Sequence, residues 1–205
     1  MALSSPFEVL TFIGHLAPLF IILFITLLSF FNGSVLKPTM YLFGVIIVSG
    51  ICILVSQIPG VKSPIPKDAL YACRTFAGNG MLDFSVPSIS TAILTFTAAY
   101  LIFPMMQQSK PNIPLFTFLF FMIGLNSYTK INAGCTTLIK GILSGLAIGL
   151  IIGFGWVLTL QASTDDANST LLLFSETLTN GQICSRPKQE QFHCKVFKDG
   201  KLSSM

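Results

Sequence analysis

From Leu10 to Leu160 the chain is a series of apolar runs separated by short polar or proline-bearing breaks. The first run, Leu10 to Phe31, offers 22 apolar-rich positions, and roughly 20 residues rising 1.5 Å each are enough to cross about 30 Å of hydrocarbon. Asn32, Gly33, Lys37 and Pro38 end it. Further runs cover Met40 to Ile58, closed by Pro59-Gly60; Val86 to Phe103, opened by Pro87 and closed by Pro104; Ile113 to Leu125, which is short unless it begins in the interface; and Leu138 to Leu160. With 52% hydrophobic residues, 10% charged residues and a mean hydropathy of +0.76, the composition lies far from soluble domains, where roughly a quarter of residues are charged. The expected fold is an all-α integral membrane protein with five transmembrane helices in residues 1–160, followed by a polar C-terminal tail over 161–205. Alternation in the tail, followed by Asp199-Gly200, predicts a small β-hairpin.

The fifth run carries glycine at 141, 145, 149 and 153. One helical face is therefore small at every fourth residue, which predicts flush packing against a neighbouring helix. That neighbour belongs to the same chain or to a second copy, in which case the glycine face makes a homo-oligomer. Met1 to Leu10 lacks a basic n-region, so the first run is expected to stay as an anchor. Five crossings put the termini on opposite sides, and bring the Lys67–Ser90 stretch and the polar break from Asn126 to Thr137 to one side, where they can meet. Lys62, Lys67, Arg74, Lys130 and Lys140 on that side, against Lys37 and Lys110 opposite, favour it as cytoplasmic. Lys67, Arg74 and Lys130 could equally be placed for a site.

The net charge of +4 is spread over loops and tail without forming a stripe, which disfavours nucleic-acid partners. No metal or other cofactor is implied. The runs hold no acidic residue, and His15 is the one ionisable group well inside them, so a transporter or channel is poorly supported. Of five cysteines, Cys52, Cys73 and Cys135 lie in or beside apolar runs, where a small buried hydrophobe is expected. Cys184 and Cys194 flank a polar segment and either close a loop in an oxidising compartment or remain thiols. Asn168-Ser-Thr fits a glycosylation acceptor if the tail is lumenal.

The stretch KDALYACRTFAGNGMLDFSVPSIS, Lys67 to Ser90, is the longest polar break and the place for any site. Lys67 and Arg74 have six residues between them, Pro87-Ser88-Ile89-Ser90 opens the next run, and a polar break leads into LIKGILSG. This order resembles the three signature motifs of the type-2 phosphatidic acid phosphatase superfamily, membrane enzymes that remove phosphate from lipid phosphates. The family's motifs are Lys, six residues, Arg-Pro; then Pro-Ser-Gly-His; then Ser-Arg, five residues, His, three residues, Asp. Here Thr75 replaces the proline and Ser90 the second-motif histidine. Asn126 and Ser127 stand at the Ser-Arg positions, Ala133 at the nucleophilic histidine and Thr137 at its orienting aspartate. Alanine has no lone pair with which to attack phosphorus, and serine is a poor acid at neutral pH, so both catalytic agents are missing.

The resemblance implies a phosphatase-like bundle over Met40 to Leu160 and a vestigial anion or lipid-phosphate site made of Lys67, Arg74, Ser88 and Ser90. The alternative for the two cations is an interfacial position facing lipid phosphates or water. Asp83 is expected to pair with Arg74 or cap a turn. The tail CSRPKQEQFHCKVFKDGKL is similar in style to short cysteine-bearing tails of membrane proteins of large nucleocytoplasmic DNA viruses. The sequence is thus read as a non-catalytic membrane protein with a structural or lipid-organising role, in a viral internal membrane or a host endomembrane, with lipids and a tail-bound protein as partners. The alternative is a lipid phosphatase with an unconventional nucleophile, His15.

Overall fold

The computed structural model describes residues 6–31, 35–59, 61, 73, 86–107, 111–163, 197–198 and 201–202. Five α-helices make up almost all of it: α1 (Pro6–Phe31), α2 (Leu36–Ser56), α3 (Ile89–Gln107), α4 (Ile113–Asn132) and α5 (Leu143–Ala162), the last continuing from a π-helical turn over Leu138–Ile142. Two two-residue strands, β1 (Phe197–Lys198) and β2 (Lys201–Leu202), pair antiparallel with Phe197 opposite Leu202. Phe12–Phe31, Leu36–Ser56, Ile89–Gln107 and Leu138–Ala162 are long and apolar enough to cross a membrane. The chain is therefore all-helical in its core and compatible with a multi-pass membrane protein.

Each helix runs antiparallel to the one before it. Gly14 of α1 lies on Thr129 near the end of α4, and near the start of α2 Tyr41 bonds Thr97 midway along α3 while Phe43 packs on Trp156 in the second half of α5. Gln161 at the end of α5 donates to Gln107 at the end of α3 at 2.6 Å. One end of the bundle thus gathers the starts of α1, α3 and α5 and the ends of α2 and α4. We refer to it as the near end.

The central helix is α3, buried on nearly every side from Thr91 to Leu101, as expected of a helix without a polar face. Its hydroxyls turn onto their own helix, Thr95 donating to the Thr91 carbonyl and Thr97 to the Ile93 carbonyl, both at 2.8 Å. Because Thr97 gives its proton away, the Tyr41 hydroxyl is the donor in their 2.8 Å bond. The Tyr41 ring packs against Tyr100 and Phe96 with centroids 5.6 and 6.2 Å apart. The outer faces carry Phe24, Ile46, Leu54, Phe121, Ile139 and Ile151, all strongly exposed, as suits a surface solvated by lipid.

The glycines of the fifth run face α3. A Cβ at Gly145 would stand 2.7 Å from the Ser88 carbonyl oxygen, and one at Gly153 would stand 2.6 Å from the Ala99 Cβ. At Gly149 it would collide with the Ala92 carbonyl. The neighbour is α3 of the same chain.

Several boundaries differ from the sequence expectation. Pro104 lies inside α3, which continues to Gln107, and α3 begins at Ile89, after a cis Val86-Pro87 bond. More consequential is α4, which passes through Asn126 and ends only at Asn132. Its polar residues do not break the helix, because Asn126 and Thr129 point inward and are buried. The helix starts on Asn112, whose side-chain oxygen accepts the Leu115 amide at 3.2 Å, a standard N-cap. It stops in a Schellman turn: Cys135 donates to the Lys130 carbonyl and Gly134 to that of Ile131, with Gly134 at φ 69°, where glycine has no Cβ penalty.

Candidate functional site at the near end

The Schellman turn points Cys135 back into the bundle, where it is bonded to Cys73, their Cα atoms 5.4 Å apart. This corrects the expectation that both are merely small buried hydrophobes. A separation of 62 residues conceals the pairing until the helices bring the two breaks to the same end. Cys52 is free and buried. Arg74 is the next residue after the bridge, but Lys67, Arg74, Asp83, Asn168, Cys184, His193 and Cys194 lie outside the described residues, and so does every structural expectation placed on them.

Beside the bridge, α3, α4 and the π-turn enclose a polar cluster. Asn126, fully buried, donates from Nδ2 to Thr91 Oγ1 and accepts on Oδ1 from Ser90 Oγ, both at 3.2 Å. Ser88 and Thr91 share a hydroxyl–hydroxyl bond of 2.9 Å. Lys130, one helical turn after Asn126, donates from Nζ to Ser88 Oγ at 3.2 Å. The π-turn ties in through its backbone. Gly141 and Ile142 both donate to the Thr137 carbonyl, and the Gly141 carbonyl accepts the Ser88 amide at 3.0 Å. Widened turns of this kind recur where a helix must present backbone groups to a site.

The cluster therefore unites Ser88 and Ser90 with residues the sequence reading did not assign to it: Thr91, Asn126 and Lys130. Of these, Lys130 is a charge that the sequence leaves open to a site. Asn126, Thr129 and Lys130, at i, i+3 and i+4 along α4, are the available signal, obscured because three polar residues so close together resemble a break. The positions that the resemblance gives to other motif residues have structural roles. Ala133 is the buried C-cap of α4, and Thr137 is the exposed N-cap of the π-turn. Ser127 is half-buried on the same helix.

His15 is buried on α1 with Nε2 4.0 Å from Cys135 Sγ. A bridged sulfur has no proton, so the imidazole is the only donor in that contact. No group of three metal-binding side chains occurs among the described residues. Lys130 is half-buried. Its ammonium carries three donors, one of which is used on Ser88, and no carboxylate bonds to it among the described residues. Chemically the cluster is a cation ringed by hydroxyls and an amide, a set able to grip an anion. Comparison with protein families, with curated proteins and with solved structures returned no match to this chain.

Proposed function

We propose that this chain is a five-pass, non-catalytic membrane protein that holds the phosphate of an anionic lipid at its near end, in a structural or lipid-organising role. The fifth crossing is α4. Both α3 and α5 start at the near end, as the Ser88–Gly141 bond requires, so the chain must return from the far end between Gln107 and Leu138. The helix available for that return is α4. Its average hydropathy is lowered by Asn126, Thr129 and Lys130, which turn inward, while Phe116, Phe121, Tyr128 and Ile131 are exposed.

Lys130 is the observation that supports ligand binding. A half-buried ammonium with spare donors is costly at the edge of hydrocarbon unless a negative group meets it. A phosphate beside the start of α3 supplies that charge, and the Ser88 and Ser90 hydroxyls complete its contacts. Lys130 lies one helical turn beyond Ser127, and so stands in for the arginine that the phosphatase motif would place there. On this reading the phosphatase scaffold is retained without its chemistry, and lipids are the primary partners. A virion or endomembrane setting, with the tail bound to a protein, accords with the tail's style.

The test is binding of phosphatidate in nanodiscs, with phosphatidylcholine as the neutral arm, for the parent, Lys130→Ala and Lys140→Ala. Lys140 is exposed at the same end and controls for simple surface charge. One charge-assisted contact contributes about 1.5 to 3 kcal/mol, so Lys130→Ala should lose roughly ten- to hundredfold in affinity and Lys140→Ala little. Equal binding by all three would mean that Lys130 is neutralised from within the chain, and the site would fall. The same preparations should release no phosphate from phosphatidate. A release that vanishes in His15→Ala would favour the phosphatase alternative, with the buried imidazole beside the bridge as nucleophile.

A further inference from the structure

The Cys73–Cys135 bridge carries information about the membrane that the charge distribution does not. We infer that the near end of the bundle faces an oxidising compartment, an organelle lumen or the outside, and that residues beyond Ala162 emerge on the reducing side. This reverses the orientation suggested by Lys62, Lys67, Arg74, Lys130 and Lys140.

Closing the bridge takes two electrons and two protons from the two thiols. An oxidised dithiol catalyst accepts them by thiol–disulfide exchange in compartments that keep such catalysts oxidised, whereas the glutathione and thioredoxin pools of the cytosol drive the reaction backwards. Cys73 and Cys135 belong to two different connections at one end of the bundle, so both connections share one compartment. The basic residues argue the other way only if they act as free loop charges. Lys130 does not, since it is folded into the cluster on Ser88. Arg74 adjoins the bridge itself. Without these two, the bias toward the near end rests on a few lysines, too few to set a topology against the bridge.

Two consequences follow. The phosphate met by Lys130 belongs to the lumenal or outer leaflet. Cys184 and Cys194, in the tail, stay as thiols, and Asn168 receives no glycan. The first consequence rests on the lipid reading above, and the second on the five crossings, whereas the orientation of the near end needs the bridge alone.

The full chain, with a glycosylation acceptor appended before Met1 and an epitope after Met205, is to be expressed in eukaryotic cells and recovered in sealed microsomes. The expected result is a glycosidase-sensitive mobility shift from the N-terminal acceptor and loss of the C-terminal epitope to added protease. Denatured without reductant, the chain should take up polyethylene-glycol maleimide at three of its five cysteines, rising to five after reduction. Cys184→Ser/Cys194→Ser should lower the first count to one, and Cys73→Ser/Cys135→Ser should leave it at three. An unmodified N-terminal acceptor, or five reactive thiols before reduction, overturns the orientation. A glycosylated N-terminus with a protease-protected epitope keeps the near end where we place it and overturns the odd number of crossings, so the two readings fail separately.

Discussion

The seam between α3 and α5 and the cluster at the near end lie side by side and are built on opposite principles. Along the seam, glycines remove every side-chain atom so that backbone meets backbone, and stability comes from dispersion contacts that lipid cannot match. At the cluster, side chains are retained for their polar atoms. Hydroxyls, an amide and an ammonium bond one another at separations of 2.9 to 3.2 Å. Shape specifies the first region and hydrogen bonding the second. The first should therefore tolerate no added atoms, and the second no lost partners.

The largest effect is expected at Gly149. Leucine there must displace the Ala92 carbonyl and Thr95, which are main-chain and packed atoms unable to swing away, so the cost should reach at least about 3 kcal/mol, the upper end for overpacking. Folded yield in detergent should collapse for Gly149→Leu and fall steeply for Gly145→Leu. Gly155→Leu, with nothing within 4 Å of its added Cβ, should be recovered as the parent is. If all three behave alike, the seam is not what holds the bundle together.

A smaller loss is expected from Asn126→Ala. It leaves Ser90 without its acceptor and Thr91 without one donor, at a cost of about 1 to 2 kcal/mol, read as a lower melting temperature. The smallest effect has the opposite sign. Lys130→Met keeps the stem but removes a half-buried charge, and in neutral detergent without phosphatidate it should leave stability unchanged or raise it by up to about 1 kcal/mol, while removing the affinity for anionic lipid. A variant that loses stability as Asn126→Ala does would make Lys130 a structural member of the cluster, and would blur the division between holding the fold and holding a ligand.

The two regions were also unequally legible in the sequence. The glycine face could be read directly, because a fourfold spacing inside one helix is local information, and only the identity of the neighbour awaited the fold. The cluster could not. Its members come from residues 88 to 91 and 126 to 130, and nothing local connects the two. Asn126, Thr129 and Lys130 read as a polar break because an averaged hydropathy takes no account of direction, whereas a helix can carry three polar residues through an apolar setting if they share one inward face. Gly134 marked the true end of α4. The bridge was hidden for the same reason as the cluster, its two halves being local to different loops.

The contacts along the seam advance in equal steps: Gly145 rests on Ser88 and Ala92, Gly149 on Ala92 and Phe96, and Gly153 on Phe96 and Ala99. Two ladders with the same four-residue rung engage as a ratchet. One rung corresponds to about 6 Å at 1.5 Å per residue, and a shorter slide presses these glycines onto the main-chain atoms beside them. Axial motion of α5 against α3 is therefore opposed by main-chain contacts along the whole seam. A small glide of α5 along α3 is therefore a poor way to carry a change at the near end to the far end of the bundle.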